Sequence, residues 1–445
     1  MKQALKKAAV MVVCAGGMAA TMQVEAANWL MLQGTERSAA AGRAKIWGFI
    51  QAQYQKDSSD ECTDPACGGA ADGYVPAKLI GPNLNDQEAF NVNRARIGIR
   101  GTGMPIDPNV NYFILAEFGN NGITAANNGS AHITDASITL NHFKGARIRA
   151  GLFKTPGFEE GLQAIHVFDY INFTTVGNQL MLERRPGPTD VFLVPAETPN
   201  ADMSGYSTPV GAFRDVGIQV FDAFKTGSWE TSYAIMYGNG NGMNFGDNDD
   251  NKDLYLYLST EQVYGGKGGR RQGLKLFAWS QKGTRTNIYD KTQEEDRTRT
   301  GIGVKYLKKP FRVSAEYLEG EGMIFQGQHR PGPNPPGTVV NFNGVFNDLE
   351  ASGYYVDFGY YIPGTKWELD LRYDSYTRDE NHQTSVDGDE STYVTTTVGA
   401  QYHINKKTRI NMDYASRSFE SDTNAVDYNL EGVKGRLAIQ LTHIF

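Results

Sequence analysis

Asn91-Val-Asn-Arg-Ala-Arg-Ile-Gly-Ile-Arg-Gly101 places Ala95, Ile97 and Ile99 on one face of an extended chain and Arg94, Arg96 and Arg100 on the other. Successive side chains of a strand point to opposite faces, so this run reads as a strand with one apolar and one cationic face. The pattern returns in Trp367–Tyr373, where Trp367, Leu369, Leu371 and Tyr373 alternate with Glu368, Asp370 and Arg372. It returns again at the C-terminus, where Leu437, Ile439, Leu441 and Phe445 face away from Arg436, Gln440 and Thr442.

Such runs extend for about 8 to 12 residues, the length a tilted strand needs to cross a bilayer. Sixteen are predicted, beginning near Ala44, Asn91, Val110, Ile133, Ala146, Arg214, Trp229, Asp253, Gly273, Arg297, Phe311, Ser352, Lys366, Thr392, Thr408 and Val433. The links between them sort by parity. Odd links are long, at roughly 55–90, 120–132, 155–212, 239–252, 282–296, 319–350, 377–391 and 417–431. Even links are mostly short, as in Phe143-Lys-Gly145, Lys308-Lys-Pro310 and Asn405-Lys-Lys407, with longer ones at Thr102–Pro108 and Thr260–Gln272. One decorated end and one trimmed end mark a transmembrane barrel with long extracellular loops and short periplasmic turns. The predicted fold is therefore all-β, a transmembrane antiparallel β-barrel over residues 44–445.

Composition agrees. The 445 residues include 50 glycines and 45 tyrosines and phenylalanines taken together, and mean hydropathy is −0.45. No stretch of 18 apolar residues occurs, which excludes a helical membrane protein and leaves the barrel open, since alternating strands make no hydropathy peak. Tyr and Phe recur near strand ends (Tyr54, Phe118, Tyr237, Tyr306, Tyr360, Tyr361, Tyr402, Tyr414), where interfacial girdles sit. Eight strands already fill with side chains, so sixteen with polar inner faces imply a water-filled lumen. Outer-membrane lipid and lipopolysaccharide are the expected surroundings of the apolar faces.

Residues 1–26 read as a signal peptide: Lys2, Lys6 and Lys7, then an apolar Ala8–Thr21, then Val24-Glu-Ala26. The expected location is the outer membrane of a Gram-negative bacterium. Residues 27–43 read as an N-terminal periplasmic segment whose Trp-Leu-Met-Leu patch plugs the barrel, caps it or docks a periplasmic partner. Only Cys62 and Cys67 follow the signal, and their spacing in a Gly/Pro-rich loop suits a local disulfide in an oxidising compartment.

The runs Arg94-Ala-Arg-Ile-Gly-Ile-Arg-Gly101, Tyr112–Phe118, Asp135-Ala-Ser-Ile-Thr-Leu140 and Arg147–Lys154, then Gly151-Leu-Phe-Lys-Thr-Pro-Gly-Phe-Glu-Glu160 and Leu182-Glu-Arg184, resemble the phosphate-selective porin O and P family. The resemblance is strongest over about 91–188 and implies a sixteen-stranded homotrimer with an anion-selective lumen. Arg94, Arg96, Arg100, Arg147, Arg149 and Lys154 are the positions onto which the family's basic lining carries over. Farther along, inward Asp215, Glu316, Asp370, Asp374 and Asp413 mix with Arg297, Arg299, Lys305 and Arg372. That departs from the dense ladder behind strict phosphate preference, and what carries over is a preference for small anions.

Arginine suits such solutes because its planar fork donates paired hydrogen bonds and keeps its charge. Two residues along a strand span ~6.5 Å, a distance over which an anion passes from Arg94 to Arg96, or from Arg147 to Arg149. The competing role is structural, with these arginines paired to inward carboxylates such as Glu117 or Asp135. The 155–212 link is too long for a surface turn. Folded inward as a third loop, it makes Lys154, Glu159, Glu160, Arg184 and Arg185 constriction residues; packed on a trimer neighbour, it does not. No metalloprotease, nucleophile-elbow or Walker motif occurs, and no cofactor is expected. A net charge of −7 with basic residues facing inward argues against nucleic acid. The expected function is a channel for small anions, possible rivals being a general diffusion porin and a structural barrel.

Overall fold

The computed structural model describes residues 28–36, 44–59, 88–124, 131–182, 213–286, 292–325, 345–346, 350–380, 390–421 and 433–445, apart from 33, 244, 248, 249, 267 and 293. Sixteen antiparallel strands close into one barrel. They are β1 (Lys45–Asp57), β2 (Glu88–Gly103), β3 (Asp107–Glu117), β4 (His132–Leu140), β5 (Arg147–Lys154), β6 (Arg214–Thr226), β7 (Trp229–Gly238), β8 (Asp253–Gly265), β9 (Gln272–Thr286), β10 (Glu294–Lys308) and β11 (Phe311–Glu321). The rest are β14 (Glu350–Tyr361), β15 (Trp367–Glu380), β16 (Ser391–Asn405), β17 (Thr408–Ser421) and β18 (Arg436–Ile444). Two short strands, β12 (Ile324–Phe325) and β13 (Val345–Phe346), pair with each other in a separate two-stranded sheet within the loop between β11 and β14. In the sequence this stretch shows only as a long link.

All sixteen predicted starts fall within three residues of an observed one. The two even links read as longer close up, because β2 and β3 leave only 104–106 between them and β8 and β9 only 266–271.

Period two decides what each face meets. Along β7, Glu230, Ser232, Ala234, Met236 and Gly238 are buried, while Trp229, Thr231, Ile235 and Tyr237 are exposed. The exposed residues form an apolar band around the wall that includes Ile97, Ile114, Leu256, Leu276, Ile302, Val356, Leu371, Val398 and Leu441. A band of this extent is far larger than a soluble surface carries and matches the lipid-facing zone of a membrane barrel. Closure joins β1 to β18, with Ile50 opposite His443 and Asp57 opposite Arg436. Phe445 completes the seam by exchanging backbone hydrogen bonds with Gly48 at 3.0 and 3.4 Å. Any side chain at Gly48 would strike the Phe445 ring, so the seam needs glycine there.

Candidate functional site

The described part of the third long loop, 155–182, lies inside the barrel. It carries a short helix (Glu159–Leu162), a 3-10 turn (Ile165–Val167) and a π-turn (Gly177–Met181), so most of its backbone lacks ladder partners. Buried backbone groups demand partners, and inward polar side chains supply them. Asp413 accepts from the Ile171 N–H at 2.6 Å, Asp374 from the Thr175 N–H at 2.7 Å and Glu316 from the Glu159 N–H at 3.1 Å. Asn411 donates to the Asp169 carbonyl at 2.9 Å, Gln51 to that of Ile165 at 3.3 Å, and Arg409 to that of Phe168. Lys154 donates to Gly161 O at 2.7 Å and to Gln163 O. Acids and amides dispersed over the inner wall are thus the docking groups of this loop.

Ion pairs fix its acids. Glu159 receives Lys275 at 2.8 Å and Lys305 at 3.1 Å. Burial penalises its charge, but the two lysines outweigh that and hold its pKa below the usual carboxylate range. Glu160 pairs with Arg372 at 2.7 Å and accepts from Thr174 Oγ1 at 2.6 Å; burial still raises its pKa, against the pull of Arg372. Asp169 meets Arg312 at 3.2 Å and Arg270, which reaches in from the 266–271 turn. Arg372 is the hub of this arrangement. It also pairs with Asp357 at 2.7 Å, donates to Asn172 O at 3.2 Å and lies 3.9 Å from the Tyr170 ring centroid.

A second observation corrects the expectation of a polar inner face on nearly every strand. From β8 to β16 the wall turns Tyr257, Phe277, Trp279, Leu318, Tyr355, Tyr376 and Tyr393 inward. These pack with Phe158, Leu162, Val176 and Leu180 of the loop into one apolar cluster. Inward glycines make room for it: a side chain at Gly353 would strike Val176, and one at Gly320 would strike Leu180. On this sector the loop is seated as a core is seated, not bathed in water.

The arginines singled out in the sequence occupy the opposite sector. Arg94 donates to Gln51 Oε1 at 3.0 Å; Arg96 pairs with Glu117 at 2.6 Å and donates to Thr124 at 3.0 Å. Arg147 pairs with Asp222 at 3.0 Å, and Arg149 lies 4.3 Å from the Phe221 ring centroid. Arg100 pairs with Glu36 of the N-terminal segment. Glu159, Glu160 and Lys154 come together at the loop, whereas Arg100 and Arg147 sit towards the short turns. Arg184, Arg185, Cys62 and Cys67 lie outside the described residues.

Sequence reasoning passed over Lys275, Arg285, Arg312 and Arg409. The inner face of β9 carries Lys275, Phe277, Trp279 and Gln281 opposite outward Leu274 and Leu276, so both faces read as apolar and the alternation loses its sign. Between loop and wall lies a cavity of ≈50 Å3 lined by Arg214, Arg285 and Arg297, with Phe158, Phe213, Tyr255 and Trp279, and, among the described residues, no carboxylate. Behind it Asp135 holds Arg214 at 3.0 Å and Asp253 holds Arg285 at 2.7 Å.

A closed sixteen-stranded barrel with an apolar outer band and a loop docked in its lumen defines an outer-membrane porin. The profile of the phosphate-selective porin O and P family, the family its sequence motifs resemble, matches residues 222–442. The matched region begins beyond the 91–188 motifs on which the resemblance was read. No curated protein sequence matches the chain. Among solved structures, the outer-membrane channel DcaP of Acinetobacter baumannii aligns at a TM-score of 0.52 and 14% identity, over 93% of this chain and 100% of that one. OmpF of Salmonella typhi, solved with daunomycin, aligns at 0.51 and 13%, over 90% and 97%. An anion-selective porin from Comamonas acidovorans aligns at 0.50 and 12%, over 90% and 99%. At these identities the likeness is one of fold.

Proposed function

We propose that this porin passes small anions by facilitated diffusion, phosphate among them, with its long loops extracellular and its short turns periplasmic. The observation that carries the reading is the cavity beside the loop, where three guanidiniums meet and no acid among the described residues lines the space. The carboxylates behind Arg214 and Arg285 orient the forks without entering the cavity. Fixed cations at a narrow point concentrate anions and exclude cations. The match to the porin O and P profile and the porin fold support the reading. A homotrimer embedded in outer-membrane lipid and lipopolysaccharide is the assembly that goes with it.

A general, weakly selective porin is the second reading. It is favoured by the pairing of Arg96 with Glu117 and of Arg147 with Asp222, which cancels part of the wall's positive charge. Swelling of liposomes carrying the protein separates the two. Anion passage predicts that a small carboxylate enters about tenfold faster than an amine of equal size, within the range that focusing by like charges produces. Equal rates favour the general porin.

A further inference from the structure

Residues 28–36 do not lie outside the barrel. They enter its short-turn end, where the helix Trp29–Leu32 buries Trp29, Leu30 and Met31. The anchors come from four strands and one turn. Asn28 Nδ2 donates to Glu230 Oε1 at 2.9 Å and to Ser232 Oγ at 2.6 Å, both on β7. Arg100 of β2 pairs with Glu36 and donates to the Leu32 and Thr35 carbonyls at 3.0 and 3.1 Å. Asn111 of β3 accepts from the Glu36 N–H at 2.8 Å, and Arg147 of β5 reaches Met31 Sδ at 3.7 Å. The Trp29 ring covers Gly269 of the 266–271 turn so closely that no side chain fits there.

This strap is joined to the third loop. Next to Gly269, Arg270 pairs with Asp169 of that loop, and Arg271 pairs with Glu230, the acceptor of Asn28, at 2.8 Å. Trp29, Leu30 and Met31 belong to the same apolar cluster as Phe158, Leu162, Val176 and Leu180. The segment is tied from β2 to β7 at the short-turn end of the lumen, the end a solute reaches after passing the loop.

We propose that residues 28–36 form a second constriction at the periplasmic mouth, in series with the third loop, and that this strap sets the size of solute the channel releases. The proposal rests on the porin reading. It also explains the positions of Arg100 and Arg147: both hold the strap from the wall.

The test compares the full-length exported protein with Asn28→Ala/Trp29→Ala in planar bilayers. These changes remove strap anchors and leave every wall cation in place. Folding is checked by the heat-dependent shift in gel mobility, and exclusion is sized with neutral polyethylene glycols. The expected result is a severalfold rise in single-channel conductance and passage of larger polymers. Wild-type conductance and an unchanged exclusion limit in the folded variant would overturn the proposal. An Asn28→Cys/Ser232→Cys protein tests the same point without loosening the strap: oxidation holds conductance at or below the wild-type level and reduction raises it. If the alanine variant does not fold, this tether decides alone, and indifference to oxidation overturns the strap. A silent wild type that the alanine variant opens supports it; silence of both folded proteins overturns the porin reading and the strap together.

Discussion

His166 shows how much a single side chain in the loop depends on its surroundings. Its ring lies 5.0 Å from the Phe49 ring and 5.8 Å from that of Trp47. Burial there, with Arg409, Lys154 and Arg96 nearby, lowers its pKa from 6.5 to about 3. Between those values the unfolded chain takes up a proton that the folded chain refuses. The contribution of His166 to stability is therefore complete above pH 6.5 and is lost as pH falls towards 3. Thermal unfolding should show it: from pH 7 to pH 5 the wild-type midpoint drops by a few degrees more than that of His166→Phe. Equal drops would contradict the assignment. Nothing in the sequence around Ile165-His-Val167 marks this residue, because its neighbours Trp47 and Phe49 come from β1, four strands earlier in the chain.

The third loop is the element on which the site turns, and Arg372 is the side chain on which the loop turns. Arg372→Ala leaves Glu160 and Asp357 without their shared cation in a buried setting, and the loss of one partner of such a pair costs about 3–5 kcal/mol. Denaturant unfolding in detergent micelles measures it directly. Arg372→Lys should recover only part of the loss, since a point charge cannot serve two carboxylates, a carbonyl and the Tyr170 ring together. Full recovery by lysine would show that charge alone suffices.

The strands, unlike the loop, were legible. Alternation in Asn91–Gly101 or Trp367–Tyr373 is a local signal that each strand carries within itself. The parity of link lengths then ordered those strands into a barrel with two unlike ends. The seat of the loop is a long-range property. Glu159 meets Lys275 and Lys305, and Ile171 meets Asp413, across separations that no local pattern records. The inward aromatics of β8 to β16 were misread for a related reason. Nothing local to Phe277 and Trp279 records the loop that covers them.

At the scale of the molecule, the barrel combines a rigid, closed wall with a lumen divided into unlike halves. One half holds the apolar seat shared by the loop and the strap, with Lys275, Lys305, Arg312 and Arg372 among it pairing with the loop's acids. The other carries Arg94, Arg96, Lys154 and Arg409 around the Ile165–Val167 turn, while Arg214, Arg285 and Arg297 surround the cavity on the loop's other flank. Many of these cations are balanced by carboxylates set behind or beside them, so the net effect on a passing ion is a matter of placement more than of count. The central claim is that the placement favours anions. It is tested most directly by the zero-current potential of single channels in a planar bilayer across a gradient of potassium chloride. The account predicts a potential of the sign set by chloride moving faster than potassium. A potential of the opposite sign would contradict it.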